Sequence, residues 1–173
     1  LPSFKNKDFI KIWSAGCAQG EEAYTLSILF LDQGFKNFKI FATDFDSEII
    51  EMAKSAVFEI QKFDEFPIYL KIKYVEKLND NKLKVKDFVK EHIEFKIHDL
   101  LSPPFDNDFD LILCRNVLIY MQKEAQRKVF ENLTSSLKKD GILILGKVEI
   151  IHPDFEKFYL PLNIKEKIFK KII

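Results

Sequence analysis

The sequence has little of what metal-bound or disulfide-stapled proteins need. Its two cysteines, Cys17 and Cys114, stand far apart, and the three histidines, His92, His98 and His152, share no ligand-like spacing with them. No metal site is expected. The thiols read as small buried groups of a reducing compartment. Charge of one sign is missing too: Lys plus Arg and Asp plus Glu number 27 each, for a formal net charge of +0. A general nucleic-acid binder carries a basic excess to neutralise phosphates, so nucleic acid is not an expected partner. No apolar run nears the length of a membrane span, and no charged-then-apolar signal opens the chain, so a cytoplasmic location without membrane insertion is expected. The first residues are Leu1-Pro2, with no methionine, which suggests a trimmed piece or a longer protein.

What is present fits one ordinary globular domain, with 173 residues, 47% of them apolar and 31% charged. Strand and helix patterns alternate, which predicts an α/β fold with a mostly parallel central sheet. Ile10 to Ala15 reads as a first strand and Glu21 to Asp32 as a helix, stopped at Gly34. Lys39 to Thr43 reads as a second strand, after which Asp46 and Ser47 can cap a helix reaching about Ala56. From Val57 to Lys90 the pattern is less regular, with a turn at Asn79-Asp80-Asn81 between short extended pieces. Glu94 to His98 and Phe109 to Cys114 read as the third and fourth strands. Glu124 to Lys138 reads as a helix, Lys139-Asp140-Gly141 as a turn, and Ile142 to Leu145 as a fifth strand. An antiparallel hairpin is expected from Phe155 to Ile173, turning near Pro161-Asn163.

In such a sheet, ligands bind at the carboxyl ends of the strands, near the point where strand order reverses. Four segments fall there: Gly16 to Glu22, Asp44, Asp99-Leu100 and Arg115 to Tyr120. The turn Ala15-Gly16-Cys17-Ala18-Gln19-Gly20 has two glycines where a backbone can approach a ligand closely, a pattern shared with nicotinamide and flavin sites. Glu21 and Glu22 follow, where a dinucleotide would place its pyrophosphate. Like charges about 4 Å apart repel by roughly 1 kcal/mol in water and about 4 kcal/mol near a protein surface. A ligand with an ammonium and a sulfonium is attracted instead; the alternative is that both glutamates only complement the helix dipole. Asp44 can accept from both ribose hydroxyls or simply form a turn, and Asp99 can accept from an adenine amino group or be a plain loop carboxylate. Arg115 and Tyr120 both donate hydrogen bonds, which suits an acceptor-only nucleophile such as a carboxylate; an exposed Arg and a half-buried Tyr are the alternative.

These residues also carry a resemblance. Ile12-Trp13-Ser14-Ala15-Gly16-Cys17-Ala18-Gln19-Gly20-Glu21-Glu22-Ala23-Tyr24 resembles the W-S-A-G-C-(S/A)-x-G-E-E-P-Y-S signature of CheR-type chemotaxis receptor methyltransferases. Ala42-Thr43-Asp44-Phe45-Asp46 is similar to that family's A-T-D-I-D, and Phe109 through Tyr120 to its F-D-x-I-x-C-R-N-V-x-I-Y. The resemblance implies a Rossmann-like class I methyltransferase fold with a small inserted subdomain over 57–92. It implies S-adenosylmethionine as methyl donor, with S-adenosylhomocysteine as product, and methyl esterification of glutamates on chemotaxis receptors. Family roles carry over to Gly16, Glu22 and Asp44 at the cofactor, with Glu21 as their neighbour, to Asn116 and Arg115 at the cofactor and active-site edge, and to Tyr120 beside the substrate carboxylate; Ala18, Gly20, Asp99 and Leu100 are expected cofactor contacts beside them, and Arg115 and Tyr120 the expected catalytic pair.

There are departures. Ala23 replaces the usual proline and Thr25 the serine, Asp99-Leu100 stands for Asn-Leu, and Gly146-Lys147-Val148-Glu149 stands for G-H-S-E. The family's helical N-terminal domain, whose linker reaches the cofactor, is not supplied by Leu1 to Ile10, so activity of this chain alone is not implied. The expected partners are the receptors' cytoplasmic domains, and the expected state is a monomer. Lys147 and Val148 favour a competing reading, a non-catalytic cofactor-binding or receptor-docking module descended from such an enzyme.

Overall fold

The computed structural model describes residues 4–173. Strand β1 (Ile10–Ala15) runs parallel to β2 (Phe38–Asp44), and β2 to β6 (Ile93–Ile97). The chain then crosses back to place β7 (Phe109–Cys114) on the other side of β1, with β8 (Leu137–Leu145) parallel beyond it. Two antiparallel strands, β9 (Tyr159–Asn163) and β10 (Ile168–Lys171), complete a seven-stranded sheet of order β6-β2-β1-β7-β8-β10-β9. Strand order thus reverses between β1 and β7, and a crevice must open above their carboxyl ends.

Alternation along β1 feeds a core on each face. Ile10 and Ile12 pack with Ile28 and Phe30 of α1 (Glu21–Asp32). Trp13 and Ala15 pack on the opposite face with Val129, Phe130 and Leu133 of α5 (Lys123–Ser136). Trp13 is fully buried and its indole N–H donates to Thr43 Oγ1 at 2.9 Å, so it ties β1 to β2. Truncating Phe130, fully buried at the centre of its layer, would cost about 3–5 kcal/mol. Asp46 caps α2 (Ser47–Ser55), accepting from the amides of Glu48 and Ile49 at 2.8 and 3.3 Å.

Residues 57–90 form a separate antiparallel sheet of β3 (Val57–Glu59), β5 (Lys82–Val85) and β4 (Val75–Lys77), in that order. The irregular stretch also holds a helix, α3 (Ile68–Tyr74), that the pattern did not announce. Pro67 precedes its first residue and its carbonyl accepts from Leu70 and Lys71, while Leu70 and Tyr74, four apart, supply the buried face. A single turn α4 (Asp87–Lys90) leads into β6.

Two boundaries differ from expectation. The helix before β8 stops at Ser136, and Leu137 already pairs with Phe109, so the expected Lys139-Asp140-Gly141 turn is a kink within the strand. Asp140 takes φ 65 there and the register slips opposite Phe109 and Leu111. The Lys171 ammonium donates to the carbonyls of Thr134 and Leu137, both at 2.7 Å, and so ends the helix from outside. The C-terminal hairpin does not turn at Pro161-Asn163. Both lie within β9, and the turn spans residues 164–167. Pro161 is tolerated because β9 is an edge strand, where a missing N–H breaks no ladder.

No helix among the described residues is long and apolar enough to cross a membrane, and no group of three or more His, Cys, Asp or Glu among them could hold a metal ion.

Candidate active site

The crevice above β1 and β7 has two lobes. One, of about 380 Å³, is lined by Asp44, Phe45, His98, Asp99, Leu100, Tyr120 and Met121. The other, of about 560 Å³, is lined by Glu21, Glu22, Thr25 and Arg115 with apolar walls from Leu26, Leu29 and Leu113. Gly16, Ala18, Asn116 and Val117 face both and form the shared wall. At Gly16 the two loops meet: with φ 76, a Cβ there would lie 2.5 Å from Val117 Cγ2, so only glycine lets them close.

The loop after β1 has its amides turned into the protein. Gly16 and Cys17 both donate to the Thr43 carbonyl at 2.8 Å, Ala18 donates to Asp44 Oδ2 at 3.0 Å, and Gly20 donates to the Cys17 carbonyl at 2.9 Å. A phosphate site needs such amides free and pointing at the ligand. Here the amides of Gly16, Cys17, Ala18 and Gly20 are consumed, and the acids in the first turn of α1 add repulsion. Gly20 lies at the helix start with φ 88 and packs against Phe95, one step back from the lobes.

The two adjacent glutamates have separate partners. Glu21 pairs with Lys62 of the small three-stranded region at 3.1 Å, so its charge is already met. Glu22 turns inward, accepting from Ser14 Oγ at 2.7 Å, with Arg115 Nη1 at 3.3 Å. Burial pushes the Glu22 carboxyl above the usual carboxylate range, and the Ser14 and Arg115 contacts only partly offset it. The second lobe therefore contains a half-buried carboxylate that its neighbours do not fully stabilise as an anion.

Asp44 ends β2 half-buried, with Oδ2 on Ala18 and Oδ1 accepting from Asp46 at 3.2 Å. A carboxylate has about four acceptor positions, so capacity remains for two hydroxyls. Asp99 Oδ1 accepts from Leu101 at 2.9 Å and braces its own loop. Leu100 is buried, and its carbonyl accepts from the Asn132 amide at 2.8 Å, as does that of Ser102 at 2.8 Å. Asn116 stands at φ 60 in the turn after β7. Tyr120, 83% exposed, ends the 3-10 turn 118–120 on the first lobe. Arg115 and Tyr120 thus line different lobes, on either side of the shared wall.

Asn132 and His98 carried no signal that isolated them, and Glu149 stands out in sequence only as the last residue of the stretch that stands for the family's G-H-S-E. Glu149 is buried and its carboxylate accepts four backbone amides: Asn116, Val117, Leu118 and Gly146, at 3.0, 2.9, 2.8 and 2.6 Å. Gly146 permits this, since a Cβ there would lie 2.5 Å from Asn116 Oδ1 and 2.7 Å from Glu149 Oε2. Lys147 and Val148, the two unusual residues between them, are exposed. Asn132 reads in sequence as one polar residue of a helix, and His98 as the end of a strand. His98 packs its ring 5.1 Å from Phe105 and 5.8 Å from Trp13, and burial lowers its pKa. Burial disfavours the thiolate at both cysteines, pushing Cys17 up to about 12 and raising Cys114 as well.

A family model described as "CheR methyltransferase, SAM binding domain" matches residues 1–166. A chemotaxis protein methyltransferase of Borreliella burgdorferi is 38% identical over 149 residues, covering 82% of this chain and 53% of that protein. One from Listeria monocytogenes is 32% identical over 147 residues, covering 83% and 55%. The chain therefore spans about half the length of the curated relatives it matches. Among solved structures, a TehB-like SAM-dependent methyltransferase from Corynebacterium glutamicum aligns with a TM-score of 0.55 at 18% identity, covering 99% of this chain and 90% of that one. That likeness is one of fold.

Proposed function

This chain belongs to the CheR methyltransferase family as its SAM-binding domain, and from that premise we propose that it serves the methyl esterification of glutamate side chains on chemotaxis receptors. The observation that carries the reading is electrostatic. A crevice whose first loop hides its amides, and whose second lobe contains the poorly neutralised Glu22, repels phosphate and suits a cationic adenosyl ligand. S-Adenosylmethionine, when bound, supplies an electrophilic methyl on a sulfonium.

The residues fit that ligand. Asp44 would accept from the two ribose hydroxyls, Phe45 and Leu100 would flank the base, and Asp99 would accept at its edge. Glu22 would meet the ammonium of the amino-acid tail across the shared wall. A glutamate substrate, with an ordinary pKa near 4.3, is already ionised at neutral pH and needs no base to take its proton. Catalysis then consists mainly of holding the carboxylate oxygen about 3–3.5 Å from the methyl carbon. Arg115, from the second lobe, and Tyr120, from the first, would each offer a donor to an incoming carboxylate. The reading as a non-catalytic module drew on Lys147 and Val148. Those side chains are exposed, while Gly146 and Glu149 beside them hold the turn that carries Asn116.

The test is to incubate the longer protein with labelled cofactor and receptor cytoplasmic domains and assay for base-labile methyl groups. Label that is incorporated and released by mild base supports ester formation on carboxylates. Cofactor binding with no incorporation would select the non-catalytic module instead.

A further inference from the structure

Side chains alternate along a strand, and in β1 Ile10 and Ile12 pack with Ile28 and Phe30 of α1. Ser14 follows in the same phase and is fully buried, where the pattern would place another apolar residue. A buried hydroxyl is costly unless it is bonded. Among the described residues this one makes a single hydrogen bond, donating from Oγ to Glu22 Oε1 at 2.7 Å. The other oxygen of Glu22 is held differently. Arg115 Nη1 reaches Oε2 at 3.3 Å, from a side chain 41% exposed on the loop after β7. Ser14 by contrast belongs to a central strand, paired on its two sides with Ala42 of β2 and Leu113 of β7. One anchor of the carboxylate is short and rigid, the other long and exposed. Neither uses up the acceptor positions of a carboxylate. Glu22 lines the second lobe, whereas Ser14 lines neither.

We infer that Ser14 is a positioning residue: its hydroxyl fixes Glu22 as the acceptor of the ligand's ammonium and keeps it in place when Arg115 turns to a substrate carboxylate. The inference rests on the cofactor reading above and adds the buried residue through which Glu22 is held. Donation from a hydroxyl also favours the ionised carboxyl, against the effect of burial. The other charged or titratable groups around Glu22 are Arg115, Glu149 in the turn after β8, Glu21, which is paired with Lys62, and the thiols of Cys17 and Cys114. Of these only Arg115 bonds it.

The test is a double-mutant cycle on this chain, with affinity for S-adenosylhomocysteine measured by calorimetry across pH. Ser14→Ala is expected to weaken binding on the order of tenfold at neutral pH, since it removes a hydrogen bond to a charged group. It is also expected to move the acid-side fall in affinity to higher pH. In a Glu22→Ala background the same substitution should change affinity by less than about twofold and leave the pH profile where it was. A role in packing alone weakens binding equally in both backgrounds and moves no profile. Equal losses therefore overturn the inference, as does a Ser14→Ala chain that binds like the unaltered one. Should Ser14→Ala not fold, Ser14→Cys, which keeps the shape with a weaker donor, is judged by the same outcomes. If the unaltered chain binds and the losses are equal, only this inference fails; if it does not bind, the cofactor reading fails and takes the inference with it.

Discussion

The two walls of the crevice solve one problem with carboxylates of opposite character. On the β1–β2 side, the loop amides are trapped by Thr43 and by Asp44, which is half-exposed and also the residue best placed for the ribose. On the β7–β8 side they are trapped by Glu149, which is 3% exposed and has no opening to the ligand. On the proposed reading the first wall would merge binding with scaffolding in a single side chain. The second separates them, since Glu149 holds the turn and Asn116, Arg115 and Tyr120 face outward. Damage should therefore appear as lost affinity on one side and as lost stability on the other.

The sharpest way to break that contrast is a pair of truncations. Glu149→Ala strands buried amides and should lower folding stability by about 3 kcal/mol or more, read as a shift in urea midpoint with the slope unchanged. Asp44→Ala should change that midpoint far less while weakening S-adenosylhomocysteine by on the order of tenfold or more, since it removes charge-assisted hydrogen bonds to the ligand. Equal midpoint shifts would erase the distinction.

A smaller effect sharpens the second lobe. Because burial raises the Glu22 pKa, the group protonates more readily in the folded chain than in the unfolded one. Its contribution to the empty protein's stability is present below the unfolded value and is lost as pH rises through the raised folded one. Ligand binding has the opposite sign, since a cation needs the ionised form. Cofactor affinity should fall as pH drops through the raised value, and Glu22→Gln should bind more weakly with a flatter profile. A wild-type profile with no such fall would remove Glu22 from the tail of the ligand. The smallest change belongs to Glu21. Its partner Lys62 is more than half exposed, so Glu21→Gln should alter stability by no more than about 0.5 kcal/mol and leave affinity nearly as it was.

Much of the parallel sheet was legible because its strands are buried on both faces and flanked by punctuating residues. The first strand and helix are found over the ranges that their apolar pattern marks. Helix α3 was not legible, because its last five residues, Leu70-Lys71-Ile72-Lys73-Tyr74, alternate apolar with Lys and read equally well as an extended piece, and its helical state depends on burying Leu70 and Tyr74. The hairpin turn was misplaced because Pro161 signals a turn locally, whereas its edge position makes it acceptable in a strand. In the site, loop residues could be picked out by their place after strands. Glu149 was marked only by the G-H-S-E pattern, and its role was not legible, because it depends on amides 31 to 33 positions earlier.

The distance spanned by Glu149 also sets a schedule for the growing chain. The crevice floor joins β1 to β7, whose paired residues stand about a hundred positions apart, and the wall beside it is not pinned until residue 149 has been made. A nascent polypeptide that has completed β1, α1 and β2 already holds Asp44 and Glu22, yet it has no second wall. A crevice with both walls in place must therefore wait until residue 149 has left the ribosome.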